Sequence, residues 1–130
     1  MADKVRVALI GAGRTGTPLL KEFMKYKYVE IIGVADKNGR APGIGLAKKK
    51  GLYTTTKPMD LVKKAKEIDI LIEVSGDLKL KKQIKAYFAK SRNKTTIIMH
   101  DLIARLFISV CTKKSKLIPS LHPDDIGIGR

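Results

Sequence analysis

The sequence contains no tryptophan, one cysteine and few aromatic residues among its 130 residues. The single cysteine, Cys111, excludes an internal disulfide, and because it falls in an apolar helical pattern we expect it to be buried and unreactive. No apolar run approaches the roughly 20 residues that a membrane-spanning helix needs, and residues 1–4 lack the pattern of a signal peptide. These absences predict a cytoplasmic protein with an aliphatic core and no membrane partner.

Acidic residues are also scarce, because 12 Asp and Glu stand against 27 Lys and Arg, a formal net charge of +15. Such a charge favours anionic partners such as nucleotides or nucleic acid. The lysines are dispersed in small groups at 48–50, at 79–85 on the expected outer face of a helix, and at 113–116, which favours a solvated basic surface instead. Since no helix-turn-helix, zinc-finger or aromatic-interleaved pattern accompanies them, specific nucleic-acid binding is not expected.

Short apolar runs alternate with amphipathic stretches along the chain. We predict strands at 5–10, 29–35, 52–54, 68–74 and 95–99, and helices at 15–27, 44–50, 57–66, 77–90 and 101–113. Apolar strands separated by helices indicate a parallel sheet that is covered on both faces. The predicted fold class is therefore α/β, a single Rossmann-type doubly wound sheet of about five to six strands with helices on both faces. It occupies residues 1–116, and an irregular tail follows at 117–130.

A glycine-rich turn joins the first predicted strand to the first predicted helix. Gly11, Gly13 and Gly16 have the spacing of a dinucleotide fingerprint, with Arg14 and Thr15 between them. In such a turn the first glycine permits the tight bend, the second lets the backbone approach a diphosphate, and the third lets the helix pack close to the strand. The amides and positive end of the helix then bind phosphate. The alternative is that the glycines serve only the turn and its packing.

An acidic residue, Asp36, ends the second predicted strand 20 residues after Gly16. A carboxylate there can accept hydrogen bonds from ribose hydroxyls and repels a 2′-phosphate, so NAD is favoured over NADP. The cations Lys37, Arg40 and Arg14 lie nearby in sequence and keep NADP open as the alternative. Lys37 is included with Asp36 among the predicted cofactor-binding residues.

Further candidates follow the fourth and fifth predicted strands, where ligands of open α/β sheets bind. The backbone of Ser75 and Gly76 can line the cofactor site, with Asp77 capping the next helix. His100 and Asp101 are weak catalytic candidates, and the favoured alternative is that Asp101 caps the last helix and His100 merely ends a strand. A second histidine, in the tail, has no accompanying metal ligands, so no metal site is predicted.

The stretches 5–13, 32–36 and 69–76 resemble the N-terminal domain of the glucose-fructose oxidoreductase / inositol dehydrogenase family. The resemblance implies NAD(P) binding through Gly11, Gly13, Gly16 and Asp36. That family carries Glu-Lys-Pro after the fifth strand, with a lysine that assists catalysis, and then a substrate domain. This sequence reads Met-His-Asp-Leu at 99–102 and has neither feature. It is more similar, to about Phe107, to an oxidoreductase-like domain at the front of some prokaryotic PAS and histidine-kinase signalling proteins, which implies nucleotide sensing.

Three hypotheses about function follow. The first is a stand-alone NAD(P)(H)-binding module with a sensing or regulatory role, which does not catalyse a reaction of its own because the family's catalytic lysine is missing. The second is an oxidoreductase that completes its active site by oligomerisation or with a partner chain, using His100, Asp101 and Lys79. The third is a nucleic-acid-associated regulator with NAD as effector. Homo-oligomers could form through the last helix, whose apolar positions are Ile103, Leu106, Phe107 and Val110, or through a sheet edge.

Overall fold

The computed structural model describes residues 3–122, in which strands and helices alternate. The strands are β1 (Val5–Ile10), β2 (Val29–Ala35), β3 (Thr54–Thr55), β4 (Ile70–Glu73) and β5 (Ile97–Met99). The helices are α1 (Gly16–Phe23), α2 (Pro42–Lys49), α3 (Pro58–Val62), α4 (Leu78–Lys90) and α5 (Asp101–Cys111), with a 3₁₀ turn at Ala65–Glu67. None of these helices is long and apolar enough to span a membrane.

All five strands are parallel and lie in the order β3-β2-β1-β4-β5. This arrangement confirms the predicted α/β class and the doubly wound Rossmann-type sheet. The chain reverses its direction of winding between β1 and β4, and in such sheets a crevice forms beyond the carboxyl ends of the strands at that point. The candidate site lies in this crevice.

The sheet separates two apolar cores, as a parallel sheet with both faces covered requires. One core lies under α1, α2 and α5 and is built around Leu9, Leu19, Val34, Ile44 and Ile108. The other lies under α3 and α4 and is built around Ile10, Leu61, Leu71, Leu80 and Ile84. Aliphatic side chains dominate both, so the predicted aliphatic core is confirmed.

Several element bounds differ from the prediction. Helix α1 ends at Phe23 rather than at residue 27, because the chain turns through Lys25 and Tyr26, whose amides bond to carbonyls three residues back, before β2 begins. Helix α2 begins earlier than expected, at Pro42, a residue that suits the first helical turn. The stretch after Pro58 is not one helix but α3 followed by the 3₁₀ turn.

Helix α5 corrects two further predictions. Asp101 does not cap the helix: the cap position is His100, and Asp101 is the first helical residue, with its carboxylate turned to Arg105 one turn later. Cys111 is exposed, so the prediction that it is buried was wrong. The outward face of α5 carries five exposed apolar side chains: Leu102, Ile103, Leu106, Phe107 and Val110. Residues 117–122 form no helix or strand, and 123–130 lie outside the described residues.

Candidate functional site

The glycine turn between β1 and α1 has a geometry that only glycine allows at two positions. Gly11 has a φ of +102°, in the region that disfavours other residues. A Cβ at Gly16 would lie 1.7 Å from the carbonyl oxygen of Gly11, so the helix can begin this close to the strand only without a side chain. A Cβ at Gly13, by contrast, would meet nothing within 4 Å. The space beside Gly13 is therefore open.

Contacts to Ala12 hold this turn in place from three elements. The Ala12 amide donates to Asp36 Oδ2 at 2.8 Å. Its carbonyl accepts from Thr17 Oγ1 at 2.8 Å and from the Gly43 amide, at the start of α2, at 2.9 Å. The turn is therefore preorganised, and the first amides of α1, which have no carbonyl partner within the helix, begin at this edge of the crevice.

Asp36 lies half-buried at the carboxyl end of β2, as predicted from its spacing. Its second oxygen, Oδ1, accepts from the Asn38 amide at 2.8 Å. The carboxylate thus fixes two backbone segments beside the glycine turn. Each carboxylate oxygen has two lone pairs, so both retain acceptor capacity for a ribose hydroxyl.

Lys37 extends across the crevice and forms an ion pair with Asp77. Asp77 also caps α4, as predicted, because its Oδ1 accepts from the Leu80 amide at 3.0 Å. The Lys37 ammonium lowers the pKa of the Asp77 carboxyl below its ordinary value, and the Leu80 amide adds to the effect. The contact joins the carboxyl end of β2 to the start of α4.

Two adjoining cavities occupy the crevice, of about 160 and 100 Å³, and both are bounded by Gly11, Asp36 and Ser75. The larger extends over Lys37 and the first residues of α3 and α4. The smaller extends over the rest of the glycine turn, including Arg14. Each is smaller than the roughly 300–1,000 Å³ of a typical small-molecule site, and the two together span the switch point of the sheet.

Ser75 follows β4 and lines both cavities beside the glycine turn, and Gly76 is the next residue along the chain. Their conformation depends on Glu73, a residue that the sequence prediction did not single out. Its side chain is 0% exposed, and its Oε1 accepts hydrogen bonds from both the amide and the hydroxyl of Ser75. Gly76 then adopts a φ of +74°. The only sequence signal for this role is one acidic residue in an otherwise apolar strand.

A charged cluster lies at the carboxyl ends of β4 and β5. Lys81 from α4 is 6% exposed, although the lysines of that helix were expected on its outer face, and its ammonium is 3.9 Å from Glu73 Oε2. Burial lowers the pKa of the Lys81 ammonium, against the opposing charges of Glu73 and Asp101. Burial also lowers the pKa of His100, and the charge of Lys81 adds to that shift. The two catalytic candidates His100 and Asp101 therefore lie together with a third group, Lys81.

Another residue at the crevice was not predicted to be there. The ring of His122 packs on Gly76 so closely that a Cβ on this glycine would lie 2.3 Å from the ring. His122 and Leu121 line the same cavity as Gly13 and Arg14. Within residues 3–122 no group of three or more His, Cys, Asp or Glu side chains could hold a metal ion.

Part of this chain is similar in sequence to proteins named acetaldehyde dehydrogenases. No family model matches the chain. It is 28% identical over 76 residues to an acetaldehyde dehydrogenase of Carboxydothermus hydrogenoformans, covering 58% of this chain and 25% of the relative. It is 32% identical over 65 residues to acetaldehyde dehydrogenase 1/2 of Rhizorhabdus wittichii, covering 49% and 21%. The chain thus spans about a quarter of the length of the curated relatives it matches.

Solved structures share the fold over most of the chain. GenD2 from gentamicin A biosynthesis, in complex with NAD, matches with a TM-score of 0.58 at 17% identity, covering 88% of this chain and 33% of that one. A myo-inositol dehydrogenase from Corynebacterium glutamicum matches with a TM-score of 0.54 at 18% identity, covering 82% and 32%. The resemblance to the N-terminal domain of inositol dehydrogenases is therefore confirmed at the level of the fold.

Proposed function

We propose that this chain binds a pyridine dinucleotide across the crevice, with its diphosphate over Gly13 and its adenosine ribose at Asp36. The observation that carries the proposal is the open space above Gly13, beside a turn that Asp36, Thr17 and Gly43 hold rigid. A diphosphate there meets backbone amides and the positive end of α1. The relatives named as dehydrogenases and the neighbour crystallised with NAD support the choice of ligand.

NAD(H) is the favoured dinucleotide. The Asp36 carboxylate faces the position of the adenosine ribose and repels a 2′-phosphate. Lys37, the nearest cation in sequence, is paired with Asp77, so using it to hold a 2′-phosphate would require that ion pair to be broken or shared. Arg40 is exposed and remains the residue through which NADP could bind.

Binding rather than catalysis is the role that we propose for this module, in sensing or regulation. Of the two groups that follow β5, Asp101 is already engaged by Arg105 at 2.8 Å, and His100 occupies the cap position of α5. Neither is a lysine, which is what the resembling oxidoreductases carry at this point. In this role, binding of the dinucleotide is sensed by the strands and helices that line the crevice.

The test is calorimetric titration of NAD⁺, NADH and NADP⁺ into the wild type and a Gly13→Val variant. We expect wild-type binding of NAD(H) with Kd on the order of micromolar, weaker binding of NADP⁺, and no measurable binding by the variant. Gly45→Val is the matched control, because a Cβ at Gly45 in α2 also meets nothing within 4 Å. It should bind as the wild type does. Absence of wild-type binding, or equal binding by Gly13→Val, would refute the proposal.

The cluster of Lys81, His100 and Asp101 favours one alternative, an oxidoreductase whose site is completed by a second copy or a partner chain. These groups lie at the carboxyl ends of β4 and β5, where proton transfer to or from a substrate could accompany hydride transfer. The test is a change in nicotinamide absorbance with a panel of aldehydes, alcohols and sugars, lost in Lys81→Met. Intact dinucleotide binding without turnover across the panel would favour the sensing role.

A further inference from the structure

Helix α5 has its polar residues on the side that faces the domain, the reverse of the usual pattern for a helix on a sheet. Asp101, Arg105 and Ser109 are spaced four residues apart and form one stripe, here called the α5 polar stripe. Asp101 and Ser109 are buried, and the Arg105 side chain is only 16% exposed. Burying such groups is costly unless they are hydrogen-bonded, so the stripe needs an explanation within the fold.

The explanation is a set of contacts to residues 117–122, here called the tail segment. Arg105 Nη1 donates to the carbonyl of Ile118 at 3.2 Å, and the Ile118 amide donates to Ser109 Oγ at 3.0 Å. The Ser120 hydroxyl donates to Asp101 Oδ2 at 3.3 Å. Every member of the stripe therefore holds the tail segment, and the Ile118 side chain packs against the core below α5.

The contacts direct the tail segment to the crevice. Ser120 Oγ accepts from the His122 amide at 3.1 Å, and this hydrogen bond fixes the backbone of the last two residues of the tail segment. Leu121 and His122 then form a wall of the cavity over the glycine turn. The imidazole lies directly on Gly76, where the absence of a Cβ makes room for it, and it remains partly accessible from the cavity.

We propose that the tail segment is a built wall of the dinucleotide site and that His122 contacts the bound dinucleotide on its Gly76 side. The inference rests on the proposed function, and it adds a residue and a segment to that site. An imidazole can donate to or accept from the oxygens of a diphosphate or ribose. Among the contacts of residues 3–122, the ring lies on the surface of Gly76 with the cavity before it. The α5 polar stripe positions His122 and does not itself touch the ligand.

The experiment titrates NAD⁺ into His122→Ala, Ser109→Ala and Ser115→Ala by calorimetry, with thermal unfolding recorded for each. Loss of a hydrogen bond to a charged ligand group should weaken binding by His122→Ala about tenfold or more. Ser109→Ala frees the Ile118 amide and should weaken binding by a smaller factor, about threefold, through loss of positioning. Ser115 is exposed and outside the tail segment, so Ser115→Ala is the matched serine control and should bind as the wild type does.

A second readout is measured on the wild type, and a variant serves only to assign the signals. The ring-proton NMR signals of His122, assigned by their loss in His122→Asn, should shift on addition of NAD⁺ and saturate at the calorimetric Kd. Wild-type binding with unchanged affinity in His122→Ala and unshifted ring signals would overturn this inference and leave the proposed function standing. Tighter binding by His122→Ala would overturn it too, because the segment would then be a cover over the site. No wild-type binding at all would overturn both.

Discussion

The two sides of the crevice are held by different kinds of contact. On the β1–β2 side, hydrogen bonds to the backbone fix the turn from Gly11 to Gly16, because they are made by the amide and the carbonyl of Ala12. On the β4–β5 side, buried side chains hold the structure. Glu73 fixes the turn after β4 by accepting from the Ser75 amide, and Lys81 lies within ion-pair distance of Glu73. The first side depends on the absence of side chains and the second on buried charge.

This difference has consequences for stability and for pH. A turn made of glycines and backbone amides is disrupted by the steric overlap of an added side chain. A cluster of buried charges fails when one member is removed or changes its protonation state, because the remaining charge is left in a poorly solvated place. Substitutions on each side should therefore differ in size and in their dependence on partners.

The largest effect is expected from Gly16→Ala, on the glycine side. The new Cβ would lie 1.7 Å from the Gly11 carbonyl oxygen, so the turn or α1 must move, at a cost of about 3 kcal/mol or more in the free energy of unfolding. Gly45→Ala, whose Cβ meets nothing, should instead stabilise α2 by about 0.5 kcal/mol. Urea unfolding of both variants measures the contrast. Equal midpoints would show that the close approach at Gly16 is not part of the fold.

A smaller effect, about 2 kcal/mol, is expected from Lys81→Met on the charged side, because it leaves the Glu73 carboxylate buried beside an apolar side chain. The double variant Glu73→Gln/Lys81→Met removes both charges while the amide oxygen can still accept from Ser75. We expect it to recover at least half of the loss in urea unfolding. If the two changes are simply additive, the coupling of these charges contributes nothing to stability.

The smallest effect concerns the pH dependence that His100 contributes. Its pKa is lowered from the ordinary 6.5 by burial and by Lys81, so the unfolded chain binds a proton more readily than the folded one. Neutral His100 therefore contributes its full stabilisation of the fold above the ordinary pKa of 6.5, and this contribution is lost as the pH falls through the lowered pKa of the folded state. Urea midpoints from about pH 8 to about pH 5 should fall more steeply for the wild type than for His100→Asn. Parallel curves would contradict the assigned shift.

The difference between the two sides of the crevice also explains which features could be predicted from the sequence. Gly11, Gly13, Gly16 and Asp36 are recognisable because their spacing belongs to one strand–turn–helix unit and the strand after it, so short-range pattern suffices. Strand and helix alternation likewise leads to the sheet, and the Asp77 cap follows from local preference. These features need no knowledge of which distant residues meet.

On the β4–β5 side, Ser75, Gly76, His100 and Asp101 were predicted, but the contacts that bring residues 118–122 to them were missed because they join residues far apart in sequence. Nothing local to His122 indicates that it lies on Gly76, since the connection runs through the α5 polar stripe. The capping prediction for Asp101 failed because Arg105, one turn later, attracts its carboxylate. The burial of Cys111 was wrongly predicted because α5 has apolar residues on both faces, and periodicity alone does not tell which face packs on the sheet.

The most direct test of the account is an amide NMR titration of the wild type with NAD⁺. We predict saturable shifts concentrated in the glycine turn from Gly11 to Gly16, at Asp36 and at Ser75 and Gly76, with exposed lysine-rich stretches such as 48–50 unchanged at physiological salt. Shifts that are confined to those lysines and vanish as salt is raised would mean non-specific attraction of an anion to a basic surface. That result, or no shift at the turn at all, would contradict a dinucleotide site in this crevice.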